Sequence, residues 1–418
     1  MANDRNWAGN YKYSASEYLY PETVEEVQDI VVRSSKMRVL GSRHSFNGIA
    51  DTNASLVCLQ KMNRVLELDK TNNRVKVEGG IRYGELGEYL YQQGYALHNL
   101  ASLPHITIAG AIATATHGSG DRNGNLSTAV YALEIVKADG TVAIFTRDDE
   151  DGLFNGAVVG LGALGVVTAI TLDILPLFEI SQYLYENLPL AQLESNFDAI
   201  YSSAYSVSLF TDWKESKFNQ VWQKRLAGEA RPIEGVSFFE AIPATEKLHP
   251  VPGQTAENCS EQLGVPGPWH ERLSHFRMDF TPSAGEELQS EYFVARHHAY
   301  DALCAINELS EQIAPLLFIS EVRTIAADEL WLSPNYKQDS VAFHFTWKPE
   351  WEAVKQVLPL IEAKLERFDA RPHWAKLYTM SAERVQSLYE KLPEFRELLL
   401  KCDPDGKFRN AYVDEYIF

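Results

Sequence analysis

Two strand-like stretches carry polar residues at alternate positions. In Ile319-Ser320-Glu321-Val322-Arg323-Thr324 a carboxylate and a guanidinium stand two residues apart, so on a β-strand both project from one face. Ala342-Phe343-His344-Phe345-Thr346-Trp347 repeats the pattern with an imidazole and a hydroxyl, while Phe343, Phe345 and Trp347 turn to the opposite face. In His373-Trp374-Ala375-Lys376 an amine follows a second imidazole by three residues. One carboxylate, one hydroxyl and three potential cations suit a ligand rich in hydroxyl groups, because a buried site must pair each one. The same residues also fit a surface ion pair of Glu321 with Arg323 and a satisfied core histidine at 344, an arrangement worth little energetically. The aromatic backs of the strands favour a lined pocket.

Two small-residue turns offer a second kind of chemistry. Val39-Leu40-Gly41-Ser42-Arg43-His44-Ser45-Phe46-Asn47 ends a strand in glycine, and its successive amides can form a nest for a pyrophosphate. Some seventy residues later comes Thr114-Ala115-Thr116-His117-Gly118-Ser119-Gly120. Two such turns can grip one long cofactor between them, although each alone is also an ordinary turn. His44 taken alone fits a capping or turn histidine as well as a nucleophile. Gly160, Gly162 and Gly165 spell GxGxxG, yet β-branched residues follow where a helix should start, so a glycine turn between two buried strands is expected instead. No GxxxxGK[ST] loop is present.

These residues need elements to hold them. Val24, Val27, Ile30 and Val31 mark a helical face after Pro21, and RVLG, SLVCLQ, RVLELD and RVKVEGG alternate as short strands. Tyr83, Leu86 and Leu90 mark a second helix closed by Gly94. Strand signals resume at 131–137 and 142–146, and 157–172 is expected to be a buried strand pair. A second α+β unit starts near Ile180 and carries a Pro/Gly-rich excursion over 231–267, expected to be a long surface loop. Helical patterns return in VQSLYEKLPEFRELLLK.

Composition narrows the function. A chain of 418 residues with 45% hydrophobic and 23% charged residues buries a sizeable core and is expected to form more than one domain. A net charge of −19 without any basic run excludes a phosphate-backbone partner and disfavours anionic membranes. Cys58, Cys259, Cys304 and Cys402 lie far apart, without CxxC spacing, so neither a disulfide framework nor a metal site is expected. The first residues lack a basic start and an apolar run, and the expected compartment is cytoplasmic.

GSRHSFN, ASLPHITIAGAIATATHGSG, GLGALGVVT, EVRT, HFTW, HWAK and DPDGKFRN occur in this order, and in that order the chain resembles the vanillyl-alcohol-oxidase family of flavoenzymes, its alditol oxidase branch above all. The resemblance covers essentially the whole chain. It implies an α+β, two-domain fold: an FAD-binding domain over 1–175, a cap domain over 176–370 and a segment, 371–418, returning to the first. It implies FAD tethered covalently through His44, with Val39, Leu40, Gly41, Ser42, Arg43 and Ser45 around the pyrophosphate. Ser102, Thr107, Gly110, Thr114, Ala115, Thr116, His117, Val167, His373 and Asn410 are the further flavin contacts it implies. Ser102, Glu321, Arg323, Thr346 and Lys376 become substrate contacts, with Arg323, Lys376, Glu321 and His344 catalytic and the base left open between Lys376 and His344. The implied reaction oxidises the C1 hydroxyl of an alditol such as xylitol or sorbitol, with hydride transfer to flavin and reduction of dioxygen to peroxide by a monomer. An aldonolactone oxidase or dehydrogenase, or a flavin- or carbohydrate-binding protein without turnover, are the alternatives. Arg43 stands where the family often has glycine, and Ala375 where it has glycine in HWGK.

Overall fold

The computed structural model describes residues 4–229, 235–280 and 286–418. Helix α1 spans Val24–Arg33; the Thr23 side chain accepts from the Glu26 amide, and acids in the first turn and Arg33 in the last complement its dipole. Its buried residues are Val27, Ile30 and Val31, three of the four expected. Strands β1 (Glu17–Leu19), β2 (Met37–Leu40) and β3 (Ser55–Cys58) form a small parallel sheet in the order β1-β3-β2. After β4 (Val65–Asp69) and β5 (Arg74–Glu78), helix α2 (Tyr83–Gln92) runs to Gly94, whose φ of 84° ends it. Within the small-residue stretch only α3 (Ile108–Ile112) is α-helical. Strands β6 (Val130–Val136), β7 (Val142–Thr146) and β8 (Val166–Asp173) join β4 and β5 in an antiparallel sheet ordered β4-β5-β8-β6-β7.

The expected strand pair over 157–172 is a single strand. Helix α4 (Leu153–Ala157) and a turn precede β8; five residues are too few to display a helical period, so the β-branched run dominated the pattern. The glycines permit close packing: a Cβ on Gly165 would lie 2.3 Å from the Val136 carbonyl oxygen. Buried Arg38 donates to the carbonyls of Leu161 and Gly162 at 2.8 and 2.9 Å. The turn therefore closes on an arginine and joins a helix to a strand, the reverse of a dinucleotide loop.

The larger sheet contains β9 (Glu179–Pro189), β10 (Ser206–Thr211), β11 (Lys217–Leu226), β12 (Leu288–Ala295), β13 (Leu317–Ile325) and β14 (Ser340–Trp347). Their order is β9-β11-β10-β13-β14-β12, extended by the two-residue pieces Ile242–Pro243, Gly267–Pro268 and Arg371–Pro372. Tyr292, Val294, Phe343, Phe345 and Trp347 bury one face with the helices Ala299–Asn307 and Trp351–Leu365. The other face looks into a cavity. Helices Ala382–Ser387, Leu392–Cys402 and Ala411–Ile417 pack in the same apolar cluster as the first antiparallel sheet.

The 231–267 excursion corrects a second expectation. Residues 231–234 lie outside the described residues, but beyond them Leu248, Val251, Ala256 and buried Cys259 pack on Phe210 and Trp222. His249, Val251 and Asn258 reach the cavity wall. Apolar residues scattered among prolines and glycines carry no period, so their burial was not legible. Among the described residues no helix is long and apolar enough to cross a membrane.

Candidate active site

One cavity of about 830 Å³ runs between the two β-layers. At one end the turn after β2 meets the turn before α3. The Thr107 amide donates to Ser42 Oγ at 3.2 Å, and a Cβ added to Gly41 would lie 2.5 Å from Thr107 Oγ1. Thr107 Oγ1 is buried without a hydrogen-bond partner. Gly80 packs against the next turn so closely that a Cβ there would sit 1.8 Å from the Leu59 carbonyl oxygen. The residue at 43 adopts φ 65°, a left-handed conformation that favours glycine, and here an arginine bears it.

His44 opens on this cavity, its ring stacked on Trp7 with centroids 5.3 Å apart. Neither ring nitrogen has a hydrogen-bond partner. Burial, then the positive charge of Lys376, pushes the imidazole pKa down to about 3, against a weaker opposite pull from the Ser42 backbone. The ring is therefore neutral at physiological pH and has a lone pair to give. A glycine cradle, an orphaned hydroxyl and an unpartnered imidazole fit a phosphate-bearing aromatic cofactor with a covalent anchor.

The sheet supplies the other wall. Backbone register sets Phe210, Glu321, His344 and Glu291 side by side across β10, β13, β14 and β12, with Ile319, Thr346 and Gln289 in the next row. Glu291 Oε1 accepts from Arg323 Nη2 at 2.7 Å and faces His117 Nε2 at 3.1 Å. Its Oε2 lies 3.5 Å from His344 Nδ1. Glu321 accepts from His275 Nε2 at 2.7 Å and stands 3.6 Å from Arg323 Nε. Burial alone would raise both carboxyls, but Arg323 and the facing histidines hold Glu291 and Glu321 well below the usual carboxylate range. Arg323 Nη1 donates to Ser102 Oγ at 3.4 Å, and Thr346 Oγ1 lies 3.2 Å from His344 Nε2.

Lys376 enters from the C-terminal turn. The Asn47 amide donates to the carbonyls of Trp374 and Lys376 at 2.8 and 2.9 Å, and the Phe46 amide to that of Ala375 at 2.8 Å. The two distant motifs are therefore one structural unit. Lys376 Nζ donates to Gln289 Oε1 and sits 4.8 Å over the Phe46 ring. Burial lowers its pKa to about 8, with Glu291 and Glu287 opposing.

Nearly every expected site residue lines this cavity; Ala115 and Asn410 do not. Ala115 is fully buried with φ 54°, shaping the turn from behind. Asn410 caps the last helix through Val413, and its Nδ2 donates to the carbonyls of Gly48, Ile49 and Asp51 at 2.8–3.2 Å. Its amide orders that loop. Sequence reasoning missed Glu291, Gln289, Glu287 and His275. The first three alternate along Glu287-Leu288-Gln289-Ser290-Glu291, the same period-two signal as the neighbouring strands.

His275 is held from outside the cavity. Lys224 Nζ, fully buried, donates to the carbonyls of Arg272, Leu273 and Ser274 at 2.7, 2.6 and 2.9 Å. Lys224→Met leaves three buried carbonyls unpaired and is expected to destabilise the protein by roughly 2–4 kcal/mol. Urea unfolding measures this; an unchanged midpoint would contradict the clamp.

The comparisons agree with this geometry. A family model described as an FAD binding domain matches residues 15–146, and one described as D-arabinono-1,4-lactone oxidase matches 281–416. Cholesterol oxidase from B. sterolicum has a similar structure, with TM-score 0.78 at 13% identity, over 99% of this chain and 96% of that one. Glucooligosaccharide oxidase from Acremonium strictum, reported with a 6-S-cysteinyl, 8α-N1-histidyl FAD, has TM-score 0.75 at 15% identity, over 99% and 94%. The fold is thus that of the two-domain α+β flavoprotein oxidases. The alditol oxidase of a Streptomyces strain is 48% identical over 415 residues, covering 99% of this chain and 98% of that protein. The chain belongs to the vanillyl-alcohol-oxidase family of FAD-dependent oxidoreductases, in its alditol oxidase branch.

Proposed function

We propose that the protein oxidises the primary C1 hydroxyl of an alditol such as xylitol or sorbitol to the aldose, using FAD tethered to His44. The observation that carries this reading is the shared face of β10, β13, β14 and β12, which turns Glu321, Arg323, His344, Thr346 and Gln289 toward one cavity. With Ser102 and Lys376 they offer donors and acceptors for a ligand bearing a hydroxyl on every carbon. The likeness to an alditol oxidase supports the same substrate class.

FAD held by the turns that carry Gly41, Ser42, Thr107 and Gly110 would supply the hydride acceptor, with dioxygen as the terminal oxidant reduced to hydrogen peroxide. Arg323 and Lys376 present fixed positive charge to the oxygen as it becomes alkoxide-like. Glu321 holds a neighbouring hydroxyl and orients the guanidinium 3.6 Å away. His344 Nε2 takes the hydroxyl proton; burial lowers its pKa despite the opposing charge of Glu291, so the ring is neutral and can accept. The C1 hydrogen would leave as hydride to the flavin acceptor, the O–H proton goes to His344 Nε2, and a carbonyl remains.

This assignment fixes a pH profile. The rate of bleaching by xylitol rises on a limb below the ordinary histidine range, as His344 loses its proton. It falls as pH rises through about 8, where Lys376 loses its charge. Anaerobic stopped-flow traces across pH measure both limbs; a rate that keeps climbing above the upper limb would make Lys376 the base.

The match of residues 281–416 to a D-arabinono-1,4-lactone oxidase model favours an aldonolactone as the second reading. Absorption spectra before and after acid precipitation, followed by anaerobic xylitol or gulonolactone, separate the two. Bleaching by xylitol supports the alditol; bleaching by the lactone alone overturns it.

A further inference from the structure

Glu291 is 2% exposed, lies on the cavity wall and stands at the centre of the charged groups. Its Oε1 is engaged twice, by Arg323 Nη2 at 2.7 Å and His117 Nε2 at 3.1 Å. Oε2 remains; it is the ion-pair neighbour, at 3.5 Å, of His344 Nδ1, a buried nitrogen that makes no hydrogen bond. A carboxylate can only accept. The proton of a neutral His344 is therefore drawn to Nδ1, and Nε2, next to the Thr346 hydroxyl at 3.2 Å, keeps its lone pair.

We propose that Glu291 is a positioning residue for alcohol oxidation: Oε2 fixes the His344 tautomer so that Nε2 is the basic nitrogen, while Oε1 holds the Arg323 guanidinium. The inference rests on the role given to His344 above. The charged and titratable groups facing His344 are Glu291 from β12, Glu321 and Arg323 from β13, and Lys376 and His373 from the C-terminal turn. Among them Glu291 alone has a carboxylate oxygen facing Nδ1. One carboxylate thereby serves both the proton acceptor and the cation that meets the departing charge.

Glu291→Gln tests this because the amide is nearly isosteric. Arg323 Nη2 can only donate and needs an acceptor at the Oε1 position, so the new NH₂ occupies the Oε2 position and points a donor at His344 Nδ1. The proton is then forced to Nε2. In the full-length, flavin-loaded protein, reduction by xylitol is expected to slow about 10²–10³-fold with KM changed little, and the low-pH limb should vanish. Glu291→Asp, which keeps the carboxylate, should retain that limb at a lower rate. In a His344→Gln background, Glu291→Gln should cost little more, since the partner through which it acts is already gone. A parental rate and pH profile in Glu291→Gln would overturn the proposal.

A second readout does not depend on turnover. Nitrogen-15 spectra of histidine-labelled protein, with the His344 signals assigned by their loss in His344→Gln, report which nitrogen is protonated. The parent is expected to show Nδ1–H and Glu291→Gln to show Nε2–H; the same tautomer in both would refute the positioning role. A tautomer switch in a protein that no alditol bleaches would uphold the positioning of His344 while refuting the alditol reading.

Discussion

Lys376→Met is expected to give a protein that keeps acid-precipitable yellow flavin yet is reduced by xylitol about 10²–10³ times more slowly. Two features of Lys376 separate its roles. Its backbone is tied to the first motif by Asn47 and Phe46, through carbonyls that any residue at 374–376 would present. Its amine reaches the Gln289 side chain and lies over the Phe46 ring, on the cavity wall shared with His344 and Thr346. Methionine matches the length and keeps the apolar stem packed but removes the charge from the oxygen of the reacting hydroxyl. Loss of a charge that matters mainly as the alkoxide develops should appear in the reduction rate more than in the xylitol concentration giving half-maximal rate. Stopped-flow reduction at several xylitol concentrations makes that split, and an unaltered limiting rate would remove Lys376 from the chemistry. Failure to retain flavin would instead tie the amine to the cradle.

The strands of this site were legible where polar and aromatic residues alternate. Glu321 with Arg323 and His344 with Thr346 are locally visible, because a period of two needs no knowledge of the partner strand. That these two strands are neighbours, and that β12 lies on the far side of β14, depends on register set by contacts distant in sequence. Glu291 therefore carried the same alternating signal without any local reason to be central. His275 shows a stricter limit: it sits in an irregular segment whose position depends on a buried lysine some fifty residues away, and no pattern announces such a bond. Asn410 shows the reverse. A side chain three residues before Val413, at the start of an apolar-periodic segment, has the N-cap signature, and its amide is spent accordingly. The two glycine-bearing turns of the cofactor end were readable because close backbone approach demands a residue without a side chain at Gly41.

His44→Ala should yield a protein whose flavin moves wholly to the supernatant on acid precipitation, while the folded protein still binds FAD reversibly. The cradle of Gly41, Ser42, Thr107 and Gly110 does not depend on the imidazole, so the affinity it provides remains. What disappears is the proposed nucleophile. The ring is oriented by stacking on Trp7 and left without a hydrogen bond at either nitrogen. A buried polar atom without a partner costs stability unless something else satisfies it. Burial holds its pKa near about 3, so a free lone pair is available throughout the physiological range without a base to remove a proton. A covalent bond to the cofactor would satisfy one nitrogen and account for the orphaned pair. Trp7→Ala supplies a graded control: the nucleophile stays but its orientation loosens, so attachment should become partial and slow on incubation with FAD. Acid precipitation with absorbance of pellet and supernatant reads both variants. A yellow pellet from His44→Ala would place the attachment on another side chain; a colourless protein that takes up no FAD would make His44 part of the cradle itself.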